Sequence, residues 1–157
     1  FSVTEVVIAS GDSTTTAWDT ITNFTVGTAA NFADSLDVAG TAAVGTLGSS
    51  TDFGTIKTHN IANVGSGIAT FDDASVHATA LVIGATNIAD VAGYLAANTA
   101  TDDAIAFAYD STADGAADST MVYSNQASDI FVLLSGLTGV DLIQIAHGSG
   151  ANDITIM

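Results

Sequence analysis

The sequence is short of several residue types on which other kinds of protein depend. It has no cysteine and no proline, and Lys57 is its only lysine or arginine. Without cysteine, the chain has no disulfide bonds, no catalytic thiol and no thiolate ligand for a metal. No apolar run approaches the roughly 18 residues of a membrane-spanning helix, and the first residues lack the regions of a secretory signal peptide. We therefore expect neither a membrane-spanning segment nor an N-terminal signal within this sequence.

Positive charge is scarce, and its scarcity excludes two classes of partner. The chain has 17 acidic residues against a single basic one, which gives a formal net charge of −16. Binding to nucleic acid requires a basic surface that neutralises phosphates, and anionic membranes attract basic segments for the same reason. We expect no nucleic-acid partner and no attachment to an anionic membrane.

Aspartate accounts for every acidic residue except Glu5. Two interpretations of this composition remain open. Aspartate side chains bond to nearby backbone in turns, and their mutual repulsion keeps a surface soluble. Alternatively, some of these carboxylates bind divalent cations such as Ca²⁺, which prefers oxygen ligands.

The spacing of apolar residues predicts a mostly-β fold. Most segments alternate apolar and polar residues, whereas 86–98 places apolar residues at helical spacing and 72–83 contains a weaker helical pattern. We predict β-sandwich or β-solenoid-like strands with one or two short α-helices, at about 72–83 and 86–98. A single mainly-β domain would cover residues 1–157, with 1–71 and 72–157 as alternative subregions.

Short polar turns separate the predicted strands. In the second half of the chain the strands recur about every ten residues, which is typical of an antiparallel meander. The predicted strands cover residues 2–9, 18–26, 34–40, 55–62, 67–71, 104–110, 119–125, 129–136, 141–146 and 153–157.

Known catalytic motifs are missing. The sequence has no G-x-S-x-G nucleophile elbow, no H-E-x-x-H zinc motif and no G-x-x-x-x-G-K phosphate loop. The histidines at positions 59, 77 and 147 are far apart and lack a neighbouring set of catalytic residues. Aromatic residues are too sparse to favour a sugar cleft with paired carboxylates. We therefore expect a protein without enzymatic activity.

One acidic loop has the composition of a calcium site. The stretch "YDSTADGAADS" spaces Asp110, Asp114 and Asp118 evenly between two predicted strands. Calcium accepts several oxygen ligands from one loop, although the spacing here differs from that of an EF-hand. We predict that these three residues are calcium ligands, and a solvated hairpin loop is the alternative.

Two stretches carry a resemblance to a known family. "WDTITNFTVGTAANFADSLDV" (18–38) resembles the segment D-x-I-x-D-F-x-x-G-x-D-x-L-D-L, which closes the calcium-binding arrays of RTX-type proteins. Asp19 and Asp37 match its two ends, although Asn23 replaces its second aspartate. "HGSGANDIT" (147–155) is similar to one degenerate copy of the nonapeptide G-G-x-G-x-D-x-U-x.

The second half of the chain is similar to the C-terminal region of RTX-type, type I-secreted bacterial surface-layer proteins. In that family a helix like "VAGYLAAN" precedes strands like "AIAFAYD" and "DIFVLLSG". The resemblance implies calcium binding, with Asp19 and Asp37 among the ligands, and an extracellular location at the bacterial cell surface. Intact nonapeptides are missing, which departs from the multi-site calcium arrays of the family.

The resemblance also implies export by an ABC-type exporter that reads an uncleaved C-terminal signal. Such signals often end with an acidic residue followed by several apolar ones. The ending "NDITIM" is similar to this pattern, except for the polar Thr155. We therefore expect a secretion signal formed by Asp153, Ile154, Ile156 and Met157.

Together these expectations describe an extracellular structural module. The chain would belong to a bacterial surface-layer or matrix protein that is stabilised by calcium and associates with itself in a lattice or filament. Two alternatives remain open. One is the accessory region of a secreted RTX-type enzyme, such as a serralysin-like protease or a lipase. The other is a subunit of an adhesin or filament.

Overall fold

The fold is mostly β, as the alternating apolar pattern predicts. A computed structural model of the chain describes residues 4–27, 34–38, 43–45, 51–61, 66–74, 79–141, 143–146 and 153–157. These residues form strands and one helix, α1 (Ile88–Asn98). The strands are β1 (Thr4–Ile8), β2 (Asp19–Thr22), β3 (Asp34–Val38), β4 (Ala43–Val44), β5 (Thr58–Ile61), β6 (Ala69–Asp72), β7 (Asp103–Tyr109), β8 (Ser119–Ser124), β9 (Ile130–Ser135), β10 (Ile143–Ala146) and β11 (Asp153–Ile156).

The central layer is a five-stranded mixed sheet with the order β2-β9-β8-β7-β4. Strands β7, β8 and β9 form the antiparallel meander that their spacing predicts, with Met121 opposite both Phe107 and Leu133. Strand β2 extends one edge, parallel to β9, and the two-residue β4 extends the other, parallel to β7. Strand β4 lies between the strands predicted at 34–40 and 55–62, so the structure adds a short edge strand that the apolar pattern does not predict.

The meander ends at β9, so the expectation that it continues through β10 is wrong. Strand β10 pairs antiparallel with β11 in a second sheet of four strands, whose order is β1-β3-β11-β10. Strand β1 runs parallel to β3, and β3 runs antiparallel to β11. Between β9 and β10, Gly136 and Gly139 adopt φ angles of 75° and 70°. These left-handed conformations, which glycine adopts without steric cost, redirect the chain to the other sheet.

The two sheets pack face to face, so the strands form a sandwich-like arrangement rather than a solenoid-like one. One buried apolar cluster contains side chains from both sheets. The larger members are Ile8, Leu36, Val38, Ile143, Ile154 and Ile156 from the four-stranded sheet, and Val122, Ile130, Val132 and Leu134 from the five-stranded sheet.

A third layer covers the opposite face of the central sheet. It consists of α1 and the hairpin of β5 and β6, and side chains of α1 and β6 pack on Ile105 and Phe107. The few aromatic rings concentrate in this second core. Phe71 lies edge-on to Phe107 and to Tyr94, with ring-centroid distances of 5.5 Å and 5.9 Å. The middle strands are therefore buried on both faces.

The helix predicted for 86–98 is present, and it begins at Ile88. The Asn87 side chain accepts a hydrogen bond from the Gly84 N–H at 2.8 Å and donates one to the Val82 carbonyl oxygen at 3.0 Å. These bonds hold the turn that precedes the helix. Within the described parts of the chain, no helix has the length and apolar character needed to cross a membrane.

The second helix, predicted at 72–83, is not formed by the described residues of that range. Asp72 is the last residue of β6, and residues 79–83 are not helical. The Leu81 N–H donates to the Phe71 carbonyl oxygen at 2.7 Å, and the Ile83 carbonyl oxygen accepts from the Asp110 N–H at 2.7 Å. Extended pairing with neighbouring chain has therefore replaced the local helical bonds.

A buried serine fastens the first long loop to the central sheet. The hydroxyl of Ser13 donates to the carbonyl oxygen of Phe131 and accepts a bond from the Asp19 N–H at 2.7 Å. The Ser13 carbonyl oxygen also accepts a bond from the Phe131 N–H at 3.2 Å. This one residue links the loop to both β2 and β9.

Ser13→Ala is expected to lower the free energy of unfolding by about 1–3 kcal/mol, because it leaves buried polar groups without a partner. Urea denaturation measures the loss. Ser10, exposed in the same loop, gives the matched control. Ser10→Ala should change stability by less than about 0.5 kcal/mol, and equal losses in the two variants would contradict the role of Ser13.

Candidate metal centre

Three carboxylates meet on the four-stranded sheet. Glu5 lies on β1, Asp37 on β3 and Asp153 on β11. One carboxylate oxygen from each lies within 4.8 Å of the other two. We call these three residues the carboxylate cluster. Among the residues that the structure describes, no other group of three His, Cys, Asp or Glu side chains brings its ligand atoms this close.

Strand register places the cluster on the face turned away from the sandwich core. Leu36 of β3 pairs with Ile154 of β11, and both side chains are buried in that core. Because successive side chains on a strand point to opposite faces, the adjacent pair Asp37 and Asp153 projects the other way. Two aspartates that are remote in sequence therefore stand directly opposite each other.

Glu5 joins the pair from the neighbouring strand. The β1 residue that pairs with Asp37 is Val7, so Glu5 lies two positions away on the same face. Its longer side chain brings its carboxylate to the two aspartates. The cluster therefore spans three adjacent strands.

The cluster is open at one end and buried at the other. Glu5 is exposed and Asp37 is half-buried, whereas Asp153 is only 3% exposed. Oδ1 of Asp153 has no hydrogen-bond partner among the described residues. Two positions along β11, on the same face, Thr155 is fully buried and its Oγ1 also lacks a partner there. The buried end thus holds two polar oxygens that no described group satisfies.

No lysine or arginine offsets the charge of the cluster. Like charges directly opposite each other on neighbouring strands destabilise a sheet. The chain has no arginine, and Nζ of its single lysine, Lys57, donates to the carbonyl oxygen of Gly54 at 3.0 Å. The three oxygens form a set that suits hard cations such as Ca²⁺ or Mg²⁺.

The two ligands implied by the resemblance have different positions. Asp37 belongs to the carboxylate cluster. Asp19 is exposed on β2, at the edge of the other sheet, where its backbone N–H bonds to Ser13. The structure therefore does not bring Asp19 and Asp37 together.

The acidic loop after β7 uses its carboxylates to hold its own backbone. Oδ1 of Asp110 accepts the Ala113 N–H at 2.7 Å, and Oδ2 accepts the Gly115 N–H at 2.8 Å. Oδ1 of Asp114 accepts the Ala116 N–H at 2.9 Å. These bonds close a tight turn in which Ala113 has a φ of 61° and Gly115 a φ of 90°.

Asp118 closes the other side of this loop. Its Oδ1 accepts the Ser111 N–H at 3.0 Å, the Ser111 hydroxyl at 2.7 Å and the Ser119 hydroxyl at 2.8 Å. These bonds to the charged form, led by the Ser111 N–H, hold the pKa of Asp118 well below its usual value. A hydrogen-bonded hairpin loop accounts for these contacts, and a calcium site of Asp110, Asp114 and Asp118 stays a prediction.

The residues expected to form a secretion signal are part of the four-stranded sheet. Asp153, Ile154 and Ile156 are buried in β11. Met157 follows the strand, and its carbonyl oxygen accepts a bond from the Asp141 N–H at 3.0 Å. Residues 147–152 of the degenerate nonapeptide at 147–155 lie outside the described residues, and only its last three residues are described.

The sequence predicts no site that includes Glu5 or Thr155, and it predicts a secretion signal rather than a metal ligand at Asp153. Each of the three residues lies on a predicted strand. The one local signal is that Glu5 and Asp153 are acidic residues at strand positions, where Asp and, to a lesser degree, Glu are depleted. Their meeting depends on the pairing of remote strands.

Comparison with known proteins adds no relative. No protein-family model, no curated protein and no solved structure matches the chain.

Acid is expected to remove the contribution of Asp118 to stability. Because its pKa is lower in the folded chain, its carboxylate stabilises the fold above the unfolded pKa of about 4, and this contribution disappears as the pH falls toward the folded pKa. Asp118→Asn should therefore lower the melting temperature at pH 7 and converge with the parent in strong acid. Thermal melts across this pH range measure the difference.

The control for this prediction is Asp12→Asn, which neutralises an exposed aspartate in another turn. It should track the parent protein more closely than Asp118→Asn does at neutral pH. A gap between Asp118→Asn and the parent that stays constant at every pH would show that the ionised carboxylate is not the cause.

Proposed function

We propose that the chain is an extracellular, non-catalytic structural module of a bacterial surface-layer or matrix protein, stabilised by calcium and assembling with copies of itself. The observation that carries the proposal is the carboxylate cluster of Glu5, Asp37 and Asp153, in a chain of net charge −16 with one lysine and no arginine. Such a chain gains stability where divalent cations are supplied. Extracellular modules commonly bind calcium weakly, at about 10⁻⁴–10⁻³ M.

Strand edges support the self-association part of the proposal. In the described residues, β1 and β10 lie at the edges of the four-stranded sheet. An edge strand presents N–H and C=O groups that can pair with another chain. Val7 on β1 exposes 66% of its surface, which adds apolar contact area beside the cluster. Cations that reduce repulsion between two strongly acidic chains would allow such edges to meet.

Calcium should therefore control assembly of the purified chain. We expect large particles in calcium chloride, and monomers both in a chelator and in sodium chloride of equal ionic strength. Light scattering coupled to size-exclusion chromatography measures particle mass, and electron microscopy shows whether the particles are ordered. A chain that stays monomeric under all three conditions would refute the assembly proposal.

Two variants that each add one negative charge test whether β1 is the edge through which chains associate. Val7→Asp should reduce assembly in calcium, because a charged edge strand opposes pairing between chains. Val26→Asp places the same charge at another exposed valine, outside the strands, and should assemble like the parent. If both variants assemble equally well, β1 is not the interface.

Export gives a second test, because we propose that Asp153–Met157 is also the secretion signal. Ile154 and Ile156 are buried in the folded chain, so an exporter would recognise them before the sheet forms. Deleting these five residues should abolish secretion from the native host, measured as protein in the medium. Because the deletion also removes β11, Leu36→Asp serves as a control that disrupts the same core and keeps the tail. Undiminished export of the deletion variant would overturn the signal.

A further inference from the structure

We infer that Glu5, Asp37 and Asp153 bind one hard divalent cation, preferring Ca²⁺ to Mg²⁺, and that this ion ties β1, β3 and β11 together. The inference rests on the proposed calcium dependence and assigns it to one site. It concerns the isolated chain, so it can be tested without assembly or secretion.

Two buried oxygens without a hydrogen-bond partner support a bound cation independently of the closeness of the three carboxylates. Asp153 is 3% exposed and its Oδ1 has no partner among the described residues, although the Asp37 and Glu5 carboxylates lie beside it. Thr155 Oγ1 is buried without a described partner on the same face. Burying an unpaired charge is costly, so groups of this kind in native proteins are paired with a hydrogen-bond partner or coordinate a metal. A cation at the cluster would pair with the buried Asp153 carboxylate and offset the negative charges of all three residues.

The closeness of the oxygens allows one cation to contact all three carboxylates, and the number of protein ligands favours calcium over magnesium. Ligands on opposite sides of a Ca²⁺ ion are about 4.6–5.2 Å apart, because each Ca–O distance is about 2.3–2.6 Å. Carboxylate oxygens within 4.8 Å of one another can therefore contact one Ca²⁺ ion. Mg²⁺ loses its water ligands reluctantly and is usually bound by only one or two carboxylates, so a set of three protein carboxylates favours Ca²⁺. Zinc favours histidine and cysteine ligands, and neither contributes to this cluster.

Charge also favours a divalent ion. Three ionised carboxylates carry a charge of −3, and a divalent cation leaves −1 on a surface with no lysine or arginine. Calcium takes about six to eight oxygen ligands. Water has access from the exposed side, where Glu5 lies, and can complete the coordination shell.

The site would join parts of the chain that are remote in sequence. Glu5 is on the first described strand and Asp153 on the last. An ion bound by both acts as a cross-link that the unfolded chain lacks, and ligands that bind only the folded state stabilise it by mass action. Amide protection of β1 and β11 should therefore depend on calcium, whereas that of β8 should depend on it less.

Calorimetric titration with calcium chloride tests the site directly. We expect one Ca²⁺ per parent chain, weaker binding of Mg²⁺, and at least tenfold weaker Ca²⁺ binding in Asp37→Asn and Asp153→Asn. At a calcium concentration about 100-fold above Kd, the parent's melting temperature should rise by about 5–10 °C. The variants should lose this rise.

The order of stabilities distinguishes a cation site from a purely structural role. In a chelator, Asp153→Asn should melt at or above the temperature of the parent, because the substitution removes repulsion within the cluster. In calcium it should melt below the parent. Asp73→Asn neutralises an exposed aspartate elsewhere. It should bind calcium as the parent does and should melt at the parent's temperature both in a chelator and in calcium.

Two results would overturn the inference. One is a parent chain that binds no calcium, and the other is Asp153→Asn binding calcium as tightly as the parent. Loss of binding in Asp114→Asn but not in Asp153→Asn would place the site in the loop after β7 instead. Calcium binding that depends on Asp153 without any assembly would support this site and refute the proposed assembly.

Discussion

The fold depends on the burial of β7, β8 and β9 on both faces. Successive side chains on these strands enter two different cores, so each strand must match two partners at once. Strand β7 shows how the sequence meets this constraint. Ala104 and Ala106 face the other sheet, whereas Ile105 and Phe107 face the helix and hairpin. The small residues allow the sheets to approach closely, and the large ones fill the wider space under curved or irregular elements.

The two outer layers differ in what stabilises them. The helix and β6 pack on the central sheet through apolar and aromatic side chains, and this packing involves no charged group. The four-stranded sheet buries one face in the sandwich core, and on its other face it carries the carboxylate cluster. With a cation bound at the site proposed above, the stability of that sheet would depend on divalent ions, whereas the apolar packing of the central sheet would not.

The sequence predicts those parts of the fold that depend on neighbouring residues. The strands at 104–110, 119–125 and 129–136 are dense in apolar and β-branched residues, and short turns pair them with their neighbours. The helical spacing in 86–98 is equally local. The described residues of 72–83 do not form the expected helix, because Leu81 donates a backbone hydrogen bond to Phe71 and Ile83 accepts one from Asp110, and these bonds outweigh a weak local pattern.

The cluster could not be predicted, because it depends on the register of strands that are far apart in sequence. A shift of one residue between β3 and β11 would move Asp153 to the core face. Nothing local to Glu5 or Asp153 specifies that register. It is set by apolar pairs such as Leu36 with Ile154, and these become recognisable only when the two strands are known to be neighbours. Asp37 is predicted as a calcium ligand because it matches the RTX-type segment together with Asp19. In the structure its carboxylate lies beside those of Glu5 and Asp153 instead.

The interior position of β11 affects how the protein can be made. Strand β11 lies between β3 and β10, so the four-stranded sheet has a vacancy in its middle until the end of this sequence has been synthesised. During translation, β1 and β3 can pair with each other, but the edge of β3 that awaits β11 stays unpaired while almost all of the intervening chain is added. Unpaired edges in incomplete sheets are prone to aggregation. The yield of folded protein should therefore depend on how long the edge of β3 stays exposed during synthesis.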